Sequence, residues 1–137
     1  MLDALGTIMR WLHFSSVATL IGGILYGRLV MLPSSAALAP DAREALADRA
    51  AVAFRPWVLA AICGLVLSGV YNILIHPGHT PTYHVLFGIK LLLALHVFAV
   101  TLLIARPGNP RRARMMTGAA ISGLAIIAVA AYLRHIY

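Results

Sequence analysis

Four long apolar runs constrain this chain more than any other feature, because together they fill most of its 137 residues. A membrane-spanning helix needs about 20 mainly apolar residues, so each run is long enough to cross a bilayer. Only 11% of the residues are charged, whereas soluble domains carry about 25%. We therefore predict one all-α integral membrane domain, an up-down-up-down bundle of four transmembrane helices. The predicted spans are about residues 4–32, 56–75, 83–105 and 115–133.

The segment that precedes the second run is typical of a short amphipathic helix. It covers residues 41–54, with Pro40 suited to a first helical turn and Asp41 near the positive end of the helix dipole. We expect this helix to continue into the second span with a break or a kink near Pro56, because proline removes a backbone donor. For the same reason, we expect the first span to stop at Pro33.

Arginine distinguishes the connections between the spans. The connection between the second and third spans, residues 76–84, contains no lysine or arginine, whereas the other two connections are rich in arginine. The positive-inside rule then predicts that the arginine-rich connections are cytoplasmic and that both termini are periplasmic, in a bacterial inner membrane. The net charge of +7 is accordingly interpreted as topology and contact with membrane lipid, not as nucleic-acid binding. The arginines are Arg43, Arg49, Arg55, Arg106, Arg111, Arg112 and Arg114.

Four ionisable side chains fall at membrane depth, and such groups are functional candidates because they are costly there. They are Arg10 and His13 in the first span and Lys90 and His96 in the third. All four acidic residues of the chain lie outside the spans, so the two cations need an anionic ligand or water. Haem b would satisfy this set, with His13 and His96 as an axial pair, or one of them alone, on the iron. Arg10 and Lys90 would then meet the propionates. The alternative is that the two histidines only form hydrogen bonds between helices.

A second group of histidines lies in the connection between the second and third spans. His76, His79 and His84 fall within nine residues, and imidazole suits Cu(II) or Zn(II). This connection could be a copper site, or it could be only a polar turn at the interface. The single cysteine, Cys63, excludes an internal disulfide and a cysteine-based zinc or iron–sulfur site. Small residues at four-residue spacing allow close helix packing and would permit a homodimer.

Short motifs in three spans resemble two related groups of small bacterial membrane proteins. These groups are the copper-resistance protein D family and the HemJ-type protoporphyrinogen oxidases. The first span resembles both groups, the second is similar to the copper family, and the third is similar to the HemJ type. The motifs are WLHF at 11–14, GG at 22–23, RLV at 28–30, FRP at 54–56, LSGVY at 67–71, KLL at 90–92 and HV at 96–97.

The two resemblances imply different functions. The HemJ type implies a b-type haem and oxidation of protoporphyrinogen IX, with His13 as a ligand and Lys90 and Arg28 as contacts of porphyrin carboxylates. The copper family implies copper uptake or handling. We therefore expect a haem b membrane protein with a redox role, either electron transfer or porphyrinogen oxidation, whose partner is a porphyrin or a quinone. The alternatives are a copper-handling protein and a non-catalytic accessory subunit of a larger membrane complex.

Overall fold

The computed structural model describes residues 2–75, 81–104, 106, 108 and 111–135, and within these residues it is all-helical with no strand. Four long helices dominate it, and each is long and apolar enough to cross a membrane. They are α1 (Leu2–Tyr26), α2 (Pro40–Ile75), α3 (Pro81–Ile104) and α4 (Arg112–His135). The prediction of an all-α chain with four helices that could span a membrane is confirmed for the described residues.

The sequence predicted that the first span stops at Pro33. The helical segment that begins with α1 instead continues through Pro33 to Ala37. A wide π-helical turn, Gly27–Met31, follows α1 and is closed by the Leu32 N–H, which donates to the Gly27 carbonyl. Another helical turn, Leu32–Ser34, and a 3₁₀ turn, Ser35–Ala37, come next. Pro33 lies at the start of this new turn, where a missing backbone donor costs little.

The second helix is continuous over 36 residues, with Pro56 inside it, so the chain does not break there, and the alternative of a kink stays a prediction. Packing explains this continuity, because Ala51 and Val58 on either side of Pro56 are both buried. Proline inside a helix costs one backbone hydrogen bond, and burial of the flanking turns offsets that loss. The predicted amphipathic segment therefore forms the first part of α2.

Contacts between named residues fix how the helices lie against each other. α1 packs mainly on α2, and α3 packs mainly on α4, while α1 also touches α4. One buried cluster joins α1, α2 and α3 through Leu20, Val58 and Val97. A second buried cluster joins α1, α3 and α4 through Ile24, Ile104 and Met116.

Four of the small residues predicted to permit close packing do so, namely Gly23, Gly27, Gly64 and Gly123. A side chain at Gly64 would collide with the Ser16 hydroxyl of α1, and one at Gly123 would collide with Ile21. Gly118, by contrast, has open space where its side chain would be. The α1–α2 and α1–α4 contacts therefore depend on glycine, as small-residue spacing in membrane helices predicts.

A buried arginine ties the connection between α3 and α4 to α2. Arg112 is only 7% exposed, and its Nη2 donates to Asp48 Oδ1 at 3.0 Å and to the Arg106 carbonyl at 2.8 Å. Its Nε donates to the Ile104 carbonyl, which belongs to the last turn of α3. Asp48 also accepts the Gly108 N–H at 2.8 Å. Arg112 thus caps α3 and joins it to α2, and we call this end of the bundle the arginine-rich end.

Candidate functional site

Three of the four predicted ionisable residues line one cleft between α1, α2 and α3. Arg10 and His13 enter it from α1, and Lys90 enters it from α3. The cleft has a volume of about 170 Å³ and is partly open. We call it the His13 cleft, and its remaining lining residues are Gly6, Met9, Ser68, Gly69, Tyr71, Asn72, Ile75 and Phe87.

The His13 ring is held by a serine of the neighbouring helix. His13 Nδ1 lies 3.0 Å from Ser68 Oγ, and the Ser68 hydroxyl donates to the Leu65 carbonyl at 3.2 Å. Since the serine proton is used in that bond, the serine oxygen accepts from the His13 Nδ1–H. The neutral imidazole then carries its lone pair on Nε2, the atom that can bind a metal or accept a proton.

Positive charge dominates the His13 cleft. Arg10 and Lys90 both line it, and none of its described lining residues is acidic. The one ion pair found in the described part of the chain, Asp48–Arg112, lies at the other end of α2. Arg10 is exposed and Lys90 is half-buried, and neither has an acidic partner in the described lining of the cleft.

His96, the fourth predicted residue, does not line the His13 cleft. It follows Lys90 by six residues on α3, which is about 9 Å farther along that helix. Its Nδ1 lies 2.9 Å from Ser122 Oγ of α4, and its side chain is exposed at the surface of the bundle. The structure therefore brings His13, Arg10 and Lys90 together and places His96 in a separate contact between α3 and α4.

Most of the predicted copper site lies outside the described residues. This holds for His76 and His79, while His84 is exposed in the first turns of α3. Among the residues that the structure describes, no group of three or more His, Cys, Asp or Glu side chains could hold a metal ion. The copper-site prediction thus stays a prediction.

Arg28, which the resemblance implied as a porphyrin contact, is also remote from the His13 cleft. It lies fifteen residues after His13, about 22 Å farther along the helical segment. Its Nε donates to Thr117 Oγ1 of α4 at 2.8 Å, at the arginine-rich end. It lines a second, largely apolar groove.

The second helix contributes polar residues to the cleft that were not predicted as site residues. Ser68, Tyr71 and Asn72 recur at i, i+3 and i+4, so they share one face of α2. That spacing, in an otherwise apolar helix, is a signal that could have identified them. Ser68 is part of the LSGVY motif but was not predicted as a site residue, yet it is the partner of His13.

Comparison of the chain with protein-family models, curated proteins and solved structures finds no match.

Proposed function

We propose that this protein is a haem b-binding membrane protein with a redox role, either electron transfer or porphyrinogen oxidation, and that the His13 cleft is its haem site. The observation that carries the proposal is the convergence of Arg10, His13 and Lys90 on one cleft with no acidic residue in its described lining. An imidazole beside two unpaired cations matches the chemistry of haem, which presents an iron and two carboxylates.

The donor set of the cleft fits this group. His13 would bind the iron through Nε2, because Ser68 engages Nδ1. Hydrogen bonding of the second ring nitrogen is the usual way in which proteins orient a metal-binding histidine. Arg10 and Lys90 would pair with the carboxylates, which would relieve the cost of placing them at membrane depth.

The size of the cleft also bears on the proposal. Its volume of about 170 Å³ is small for a complete porphyrin, but it is open on one side. In this proposal, part of the porphyrin would therefore lie outside the cleft. When bound, haem supplies one-electron chemistry, and the protein supplies the axial ligand and the charges around it.

The geometry favours His13 alone as the axial ligand from this cleft. His96 is hydrogen-bonded to Ser122 on another face of α3. Binding of one iron by both His13 and His96 of the same chain would therefore require a change in that contact. The pairing of His13 with His96 remains the alternative, and replacement of each residue separates the two arrangements.

We also propose the up-down-up-down topology, with a cytoplasmic amphipathic helix and both termini in the periplasm of a bacterial inner membrane. Two contacts support an antiparallel arrangement of α1 and α2, because Gly6 at the start of α1 lies near Tyr71 at the end of α2 and Gly23 lies near Phe54. The Asp48–Arg112 pair likewise joins the start of α2 to the start of α4. The arginine-rich end would face the cytoplasm by the positive-inside rule.

An absorption spectrum of the protein purified in mild detergent tests the haem proposal. The wild type should show a Soret band and the split α and β bands of a b-type haem. His13→Ala should abolish them, whereas the matched control His84→Ala should leave them unchanged. His96→Ala should also retain haem if His13 is the only ligand from this chain, and should lose it if the two histidines form a pair.

Two results would overturn the proposal. One is a wild type that never carries haem when produced with haem available, and the other is full haem retention after replacement of both His13 and His96. Stoichiometric copper without haem would instead favour the copper-handling function, with His76, His79 and His84 as the first ligands to replace.

A further inference from the structure

A second groove lies between the end of α1 and the middle of α4, and it is separate from the His13 cleft. Its volume is about 210 Å³. One charged side chain, Arg28, and one hydroxyl, Thr117, lie among otherwise apolar described lining residues. We call it the Arg28 groove, and its apolar residues are Leu25, Leu29, Ala120, Ile121 and Leu124.

Two hydrogen bonds orient the Arg28 guanidinium. Thr117 Oγ1 donates its proton to the Ala113 carbonyl at 3.1 Å and therefore accepts from Arg28 Nε at 2.8 Å. This leaves the edge formed by Nη1 and Nη2 without a partner among the described residues. A guanidinium edge of this kind binds a phosphate through two parallel hydrogen bonds.

The groove is polar at one end and apolar at the other. Thr117, beside the cation, lies five residues after the start of α4, whereas Leu124 lies seven residues farther on, about 10 Å deeper along the helix. The groove thus has a cation near the arginine-rich end and apolar side chains toward the middle of the bundle. Phospholipids have the same arrangement, with a phosphate at the membrane surface and acyl chains below it.

We infer that the Arg28 groove binds an anionic phospholipid, with its phosphate on Arg28 and an acyl chain along Leu25 and Leu124. Charge complementarity supports this occupant, because no described residue lining the groove is acidic. Its apolar remainder favours a lipid over a free phosphate ion. The inference does not depend on the haem proposal, since Arg28 and His13 are about 22 Å apart along the helical segment.

Native mass spectrometry of the full chain tests this inference. The detergent-solubilised protein is incubated with phosphatidylglycerol or with phosphatidylcholine of identical acyl chains, and bound lipid is counted. The wild type should retain phosphatidylglycerol in preference to phosphatidylcholine. Arg28→Gln should weaken phosphatidylglycerol binding about fivefold, the usual effect of one arginine at a membrane surface.

A matched arginine provides the control. Arg114 is exposed on α4 and does not line the groove, so Arg114→Gln removes the same charge without touching the site. Thr117→Val keeps the size and charge of the groove and removes only the acceptor that orients Arg28. It should weaken the preference for phosphatidylglycerol, and it serves as the test if Arg28→Gln does not fold.

Three results would overturn the inference: equal binding of the two lipids by the wild type, equal losses in Arg28→Gln and Arg114→Gln, and unchanged binding in Thr117→Val. Displacement of the lipid by millimolar soluble glycerol phosphate would show that the groove recognises a free phosphate and would also reject the lipid. Retention of the lipid under that challenge supports it.

Discussion

At the arginine-rich end of the bundle, Arg112 is almost fully buried and donates to Asp48 and to two backbone carbonyls. In the His13 cleft, Arg10 and Lys90 line a cavity whose described residues include no acid. The same kind of charge is therefore compensated inside the protein at one end and left uncompensated at the other. Removal of one partner from a buried, compensated pair is destabilising, whereas an uncompensated charge is retained at a cost that a ligand can offset.

The largest effect is expected from Arg112→Met, which removes the compensated cation. It leaves Asp48 with the Gly108 N–H alone and removes the arginine donor from the Ile104 and Arg106 carbonyls. Because the buried guanidinium loses three hydrogen bonds, worth about 1 kcal/mol each, we expect a loss of about 2–3 kcal/mol in the free energy of unfolding. Unfolding of the detergent-solubilised protein by SDS measures it. Arg114→Met is the control, and an equal loss in both variants would show that Arg112 has no special role.

A somewhat smaller loss in the free energy of unfolding is expected from Gly64→Leu. The new side chain would push α1 away from α2 at a point one helical turn from Ser68. The new side chain collides with Ser16, and overpacking of this kind costs about 2 kcal/mol. The same unfolding measurement detects it. Gly22→Leu is the control because nothing lies within 4 Å of a side chain at Gly22. If Gly22→Leu were as damaging, the α1–α2 contact would not explain the loss.

The smallest effect, of opposite sign, is expected from Lys90→Met. This change removes an uncompensated cation, so the ligand-free protein should become more stable by about 1 kcal/mol. Haem occupancy, followed by the Soret absorbance, should fall at the same time. Lys90→Arg, which keeps the charge, should have neither effect. Destabilisation by Lys90→Met in the ligand-free protein would mean that the cleft compensates this cation internally, and the contrast with Arg112 would disappear.

The sequence predicted the helices and part of the site for clear physical reasons. Run length and apolar composition are local properties, so the four helices could be predicted without knowledge of their contacts. The sequence also grouped His13 and Lys90 as ionisable residues within the spans, and both residues do line one cleft.

Rotation of each helix about its own axis could not be predicted. Helix α3 is strongly apolar and its few polar residues do not gather on one face, so no polar face shows which side meets the bundle. For that reason the sequence placed His96 with His13, while the structure pairs it with Ser122. The Asp48–Arg112 pair joins residues 64 positions apart and depends on two helices meeting, which no local pattern records.

The unbroken course of α2 through Pro56 has a mechanical consequence. At 36 residues the helix is about 54 Å long, whereas the apolar core of a bilayer is about 30 Å thick. Roughly 24 Å of it must project beyond that core, unless the helix is strongly tilted, and the projecting part carries Asp48. A change of about 10° in tilt would swing the far end by about 4 Å and Asp48, which lies about 12 Å short of that end, by about 2 Å; Asp48 would pass its displacement to the connection between α3 and α4. A small change in the tilt of α2 within the bilayer would thus produce a larger displacement of the part of the helix that projects beyond it.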